Sequence, residues 1–196
     1  MQVAGIGSRE TPTDVLDVLR FAGSALAAQG HRGSSGGARG ADRAFEDGFR
    51  AVNPALLRSY TVNDASPAAL ALAARYHPAW DRCSDYARLL HARNGPIVLG
   101  ETLCDPVDAI LCWTPGGRVT GGTGQALRIA ADWNIPVFNL AVCSINDLWA
   151  WMWANSTSIA RTSASGSGGT IVPSSRLVQP CASSAATWSI GAPGRL

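Results

Sequence analysis

The stretch Ser35-Gly36-Gly37-Ala38-Arg39-Gly40-Ala41-Asp42 follows a short strand-like run and opens a helical pattern. Two adjacent glycines let a ligand's oxygens approach the backbone N–H groups, and the first N–H groups of a helix attract anions. Arg39 adds a planar donor that suits phosphate oxygens. The stretch therefore predicts a phosphate site where a strand meets a helix.

A second glycine turn, Gly121-Gly122-Thr123-Gly124, also follows a strand-like run and opens a helix. Thr123 and Gln125 can cap that helix through their side-chain oxygens while they contact a ligand. Two such turns in a small α/β domain indicate a cleft for a nucleotide-like ligand.

Strand-like runs alternate with helical patterns along the chain, which predicts a parallel, doubly wound α/β sheet with helices on both faces. The predicted strands are 2–6, 31–35, 56–62, 107–113 and 135–140, in the order 3-2-1-4-5. The loops 7–9, 35–42 and 114–125 would then share a cleft at the carboxyl ends of neighbouring strands. Strands three and four are joined by two helical segments, 66–76 and 80–93, and the second should end at Asn94-Gly95-Pro96.

Charge and composition divide the chain into two parts. All 16 basic residues are arginines, and residues 1–154 hold 13 of them with all 14 acidic residues, a net charge of −1. A near-neutral domain argues against wide contact with a nucleic-acid backbone, but this net charge does not exclude a local basic pocket. Residues 1–154 should form the nucleotide-binding domain, and 155–196 a poorly structured tail rich in serine and glycine.

Other signals are negative or general. The three histidines are scattered and no two cysteines have C-x-x-C spacing, so no metal site is expected. No leader-like segment and no apolar run of about 20 residues is present, which predicts a cytoplasmic protein without membrane contact. Trp149, Trp151 and Trp153 alternate in a helical context and favour core packing or a dimer face, and we expect a homo-oligomer.

Four segments together resemble one known family. They are Gly5-Ile6-Gly7-Ser8-Arg9, the stretch 35–42, Arg93-Asn94 and Gly121-Gly122-Thr123-Gly124. In this order they look like the SLOG superfamily, named after the Smf/DprA proteins and the LOG enzymes, and within it the YspA/YpsA-like branch of bacteria and phages. The resemblance runs from residue 1 to about residue 142.

The resemblance implies a Rossmann-like domain that binds a nucleotide or a nucleotide-derived ligand. The ligand-binding residues would be Gly7, Ser8, Arg9, Ser35, Gly36, Gly37, Arg39, Gly40, Asp42, Asn94, Gly121, Gly122, Thr123, Gly124 and Gln125. No cofactor beyond such a ligand is implied.

The resemblance leaves catalysis open. The LOG enzymes cleave the N-glycosidic bond of nucleoside monophosphates and carry the motif Pro-Gly-Gly-x-Gly-Thr-x-x-Glu. Here the glycines match, but Thr120 stands for the proline, Gln125 for the threonine, and Leu127 or Arg128 for the acid. Glycoside cleavage needs a carboxylate, and candidate substitutes lie on other loops or helices. The catalytic candidates are Arg39, Asp42 and Glu46, with Glu10 also near.

Three functions therefore stay open. The first is a nucleotide-binding protein that senses, sequesters or processes its ligand. The second is a nucleotide N-glycosidase, or phosphoribohydrolase. The third is a DprA-like recombination mediator that binds single-stranded DNA.

Overall fold

The computed structural model describes residues 1–156, with side chains through residue 155. Most of the predicted tail, 157–196, therefore lies outside the described residues. The strands are β1 (Gln2–Gly7), β2 (Arg32–Ser35), β3 (Leu57–Ser59), β4 (Ala109–Trp113) and β5 (Val137–Asn139). The helices are α1 (Thr13–Ala28), α2 (Ala41–Val52), α3 (Pro67–Tyr76), α4 (Asp85–Ala92), α5 (Asn94–Leu99), α6 (Gly121–Asp132) and α7 (Ile145–Ser156).

The five strands form one parallel sheet in the order β3-β2-β1-β4-β5, which confirms the predicted α/β class and strand order. β1 lies at the centre, where Ala4 pairs with Ser34 of β2 and Ile110 of β4. The outer strands are shorter than predicted, because β3 and β5 have three residues each. Because all strand pairs are parallel, the carboxyl ends of the strands lie along one edge of the sheet.

Alternation along the central strands gives the sheet two apolar faces. Val3 and Leu111 pack with α1, α2 and α7 on one face. Ala4 and Ile110 pack with α5 and α6 on the other. Among residues 1–156, no helix is long and apolar enough to cross a membrane.

Glycines bring α1, α2 and the sheet into close contact. A Cβ atom at Gly5 of β1 would overlap the ring of Phe45 in α2. The backbones of α1 and α2 meet at Gly23 and Gly48, where a Cβ on Gly48 would lie 2.8 Å from the amide nitrogen of Ser24. The Ser24 hydroxyl also donates to the Gly48 carbonyl across 3.1 Å. The absence of a Cβ at these glycines therefore lets α2 pack closely against β1 and against α1.

The connection between β3 and β4 departs from the prediction at its end. Asn94-Gly95-Pro96 does not end a helix but begins the buried helix α5. α4 stops two residues earlier, at Ala92, and Arg93 joins the two helices in a helical backbone conformation. Pro96 fits the first turn of α5 because that turn needs no N–H donor from it. This arrangement places α4 and α5 beside the carboxyl edge of the sheet.

Candidate functional site

A cavity of about 500 Å³ lies at the carboxyl ends of β1 and β4. Four segments line it: the β1–α1 loop, the β2–α2 junction, the α4–α5 junction and the β4–α6 loop. Its lining residues are Ile6, Gly7, Ser8, Arg9, Glu10, Ala38, Asp42, Ala87, Leu90, His91, Arg93, Asn94, Thr114, Pro115, Thr120, Gly121, Gly122 and Thr123. The volume is in the range of small-molecule sites in proteins.

The structure brings together about half of the predicted ligand residues. The predicted residues in the cavity wall are Gly7, Ser8, Arg9, Asp42, Asn94, Gly121, Gly122 and Thr123. The predicted ligand residues outside the wall are Ser35, Gly36, Gly37, Arg39, Gly40, Gly124 and Gln125. The two glycine turns therefore do meet at one cavity, but most residues of the first turn do not line it.

The carboxylate of Asp42 occupies the place that the sequence analysis assigned to a phosphate. Its Oδ1 accepts the Gly7 N–H at 2.8 Å, and its Oδ2 accepts the Ala38 N–H at 3.4 Å. Burial raises the pKa of Asp42 to about 7, while the Gly7 N–H and the charge of Arg93 partly oppose that rise. Asp42 is thus a carboxyl group that exchanges its proton near neutral pH in the wall of the cavity.

Two N–H groups in the first turn of α2 are already bonded to backbone carbonyls of the protein. Ala41 donates its N–H to the Ser8 carbonyl at 3.3 Å, and Arg43 donates to the Ala38 carbonyl at 3.0 Å. Gly40 permits the first contact, because a Cβ there would come within 2.8 Å of the Arg9 Cα. The expectation that these N–H groups face a ligand is therefore wrong for Ala41 and Arg43.

Arg93, which the sequence analysis quoted but gave no role, connects the two sides of the cleft. Its Nη1 donates to the Gly36 carbonyl at 2.7 Å. A Cβ on Gly36 would lie 3.0 Å from Asp42 Oδ2 and 3.1 Å from Arg93 Nη2. The first glycine of the turn therefore makes room for a guanidinium group of this protein. The Nε of Arg93 is buried and has no hydrogen-bond partner in the described part of the chain.

Two of the catalytic candidates lie away from the cavity. Glu46 is fully buried in α2, where its carboxylate accepts from the Ser59 hydroxyl at 2.5 Å and pairs with Arg50 at 2.7 Å. Arg39 is exposed and does not line the cavity. Of the acids considered for catalysis, Asp42 and Glu10 line the cavity.

The N-terminus of α6 differs from that of α2, because its first N–H groups lack protein acceptors. Among residues 1–156, no hydrogen bond is found from the N–H groups of Gly121, Gly122 or Thr123, whereas Gly124 donates to the Thr120 carbonyl at 3.0 Å. Nothing lies within 4 Å of a Cβ built on Gly121 or Gly122. This helix end is therefore open toward the cavity.

Gln125 and Asn94 form a buried support behind that helix end. Asn94 donates to the Gly122 carbonyl at 3.1 Å and to Gln125 Oε1 at 3.5 Å. Gln125 donates in turn to the Ala73 carbonyl at 3.2 Å. The side chain of Gln125 therefore joins α6 to α3 and α5, and its predicted contact with a ligand stays a prediction.

Sequence reasoning also missed a cluster at the back of α4. His77, Cys83 and His91 come together, with one ligand-type atom of each within 4.8 Å of the others. Spacings of six and eight residues gave no helical or C-x-x-C signal. They meet because a short 3-10 turn, Trp80–Arg82, returns the chain from the end of α3 to the start of α4.

Comparison with known proteins adds no family to this description. No protein-family model matches the chain, and no curated protein matches it. The SLOG resemblance therefore stays a prediction from the four segments quoted above.

Proposed function

We propose that the cavity binds a phosphorylated, nucleotide-type ligand and that the ligand's phosphate lies at the N-terminus of α6. The observation that carries this proposal is the open helix end at Gly121, Gly122 and Thr123, which offers N–H groups without protein acceptors. Such a helix end favours anions through its N–H groups and its dipole. The cavity is large enough for a nucleoside as well as a phosphate.

Two arginines support an anionic ligand. Arg9 lines the cavity and is exposed, so its guanidinium is available to phosphate oxygens. Arg93 lines the opposite wall and retains a buried Nε without a partner among the described residues. Apolar surface from Ala87, Leu90 and Pro115 supplies a site for a base.

Calorimetric titration of the full chain with nucleoside monophosphates and with the matching nucleosides tests the proposal. We expect at least one monophosphate to bind, and its nucleoside to bind at least ten-fold more weakly. Absence of binding by every monophosphate, or equal binding of nucleoside and monophosphate, would contradict it.

Matched variants locate the site. Arg9→Gln should weaken binding roughly 10- to 100-fold, the loss of one charge-assisted hydrogen bond. Arg32→Gln removes the same charge from an exposed residue at the amino end of β2, away from the cavity, and should leave binding unchanged. Gly122→Ala should also weaken binding, because its Cβ would enter the space assigned to the phosphate.

A second function, cleavage of the N-glycosidic bond, is favoured by one observation. The pKa of Asp42, raised to about 7 by burial, suits a group that exchanges a proton during such a reaction. Incubation of the protein with nucleoside monophosphates, followed by chromatography for free base, tests it. Release by the wild type and not by Asp42→Asn would support hydrolysis, and binding without release would remove it.

A further inference from the structure

The His77–Cys83–His91 cluster has the composition of a transition-metal site. Cys83 Sγ lies 3.7 Å from His77 Nδ1 and 3.8 Å from His77 Nε2. The two imidazole rings are 4.3 Å apart between centroids. Thiolate and imidazole together are ligands that Zn²⁺ prefers, whereas Mg²⁺ and Ca²⁺ take oxygen ligands.

The distances agree with three corners of a tetrahedral site. Zinc bonds of about 2.3 Å to sulfur and about 2.0 Å to nitrogen place ligand atoms roughly 3.3 to 3.6 Å apart. The two distances from Cys83 Sγ to the ring nitrogens of His77 are already near this value. The largest separation, at most 4.8 Å, needs a contraction of up to about 1.5 Å, which side-chain rotation at His91 and Cys83 can supply.

His91 offers a nitrogen that the protein leaves without a partner. Its Nδ1 is buried and has no hydrogen-bond partner within residues 1–156. Burial lowers the pKa of His91, the nearby His77 lowers it further, and a hydrogen bond with Gln125 partly opposes both. A buried imidazole nitrogen without a partner in the described part of the chain, close to a thiol and a second imidazole, can serve as a metal ligand.

Two neighbours oppose metal binding. The Ala79 N–H donates to His77 Nδ1 at 3.2 Å, and coordination through that nitrogen would replace this bond. The charge of Arg128 also acts on His91 and disfavours a cation. The negative charge of the Cys83 thiolate formed on coordination offsets the second effect.

We propose that His77, Cys83 and His91 bind one zinc-class divalent ion, with a fourth position left for water or a ligand. His91 also lines the cavity, so the ion would lie behind the α4 wall of the cleft. It would join the end of α3 to α4, the helix that carries Ala87 and Leu90 into the cavity. This proposal does not depend on the identity of the cavity's ligand.

Titration of metal-free full-length protein with Co²⁺, followed by absorption spectroscopy, tests the site. We expect one equivalent to give the thiolate-to-cobalt charge-transfer band and the intense visible bands of tetrahedral cobalt, and one equivalent of Zn²⁺ to remove both. Cys83→Ser should abolish the charge-transfer band and weaken Zn²⁺ binding at least 100-fold. Cys104→Ser, which removes an exposed cysteine, should change neither.

A second measurement keeps the proposal testable if Cys83→Ser fails to fold. Alkylation of the wild type, read by peptide mass spectrometry, should be slowed at Cys83 by Zn²⁺ at least ten-fold and unchanged at Cys104. Absence of the charge-transfer band, its persistence in a folded Cys83→Ser variant, or equal alkylation of Cys83 with and without Zn²⁺ would overturn the proposal.

Discussion

The buried carboxyl group of Asp42 should make the protein less stable as the pH rises from 5 to 8. Burial raises the pKa of this group from 3.8 to about 7 in the folded protein, with Arg93 and Glu46 the nearby charges. The folded protein therefore holds the proton more tightly than the unfolded chain does. The resulting stabilisation is complete below pH 3.8 and is lost as the pH rises through 7.

The size of the effect follows from the shift. Each pKa unit corresponds to about 1.4 kcal/mol, so moving from pH 5 to pH 8 should remove about 3 kcal/mol of the free energy of unfolding. With a urea dependence of about 2 kcal/mol per M, the unfolding midpoint should fall by roughly 1.5 M. Asp42→Asn cannot ionise at this position and should lose this part of the pH dependence.

The comparison between variants isolates Asp42 from other titrating groups. Burial also lowers the pKa of His31 and of His91, and both histidines favour folding at higher pH. These contributions are common to the wild type and Asp42→Asn and cancel in the difference. Asp14→Asn is the matched control, since Asp14 is the second residue of α1 as Asp42 is of α2, but is exposed. The reasoning is refuted if urea curves of the wild type and Asp42→Asn shift in parallel between pH 5 and pH 8.

Three further predictions concern the same region. Gly36→Ala should lower the free energy of unfolding by about 1–3 kcal/mol in urea titrations, because its Cβ would displace the Arg93 guanidinium from the Gly36 carbonyl. Gly122→Ala, with open space around its Cβ, should leave stability unchanged in the same assay, and an equal loss in both variants would contradict this contrast. Ile97→Ala, in the buried helix α5, should cost about 2–5 kcal/mol in chemical unfolding, and a cost below 1 kcal/mol would show that α5 is not packed as described. Sulfate, whose charge is constant over this range, should bind several-fold more tightly at pH 6 than at pH 8, because protonation of Asp42 removes a repelling charge; the difference should vanish in Asp42→Asn.

The fold could be predicted because local and global signals agree. β1 and β4 are short, buried and largely apolar, and glycine turns follow β1, β2 and β4, so the alternation of strands and helices predicted the α/β class. The structure also confirms the expected strand order. The lengths of β3 and β5 could not be predicted, since pairing at the edge of a sheet depends on neighbours far away in sequence.

The site was harder to predict, because a glycine has several physical uses. Gly36 and Gly40 looked like phosphate contacts, yet they make room for Arg93 and for the Ser8–Arg9 backbone. A glycine can make room for a ligand or for another part of the same protein. Only the atoms that lie next to it in the folded structure distinguish these two cases. His77 and His91 were missed for a related reason, since a single turn of chain between two helices decides that they meet.

The glycine contacts between α1, α2 and β1 have a consequence for how the cleft changes width. Backbone against backbone at Gly23 and Gly48 leaves no flexible side chain to absorb a displacement, so α1 and α2 should move as one rigid unit. On the other side of the cleft, Arg93 at the junction of α4 and α5 donates a hydrogen bond to the Gly36 carbonyl. Any narrowing of the cleft around a ligand should therefore come from α4, α5 and the loops that line the cavity, and not from a shift of α2 against α1.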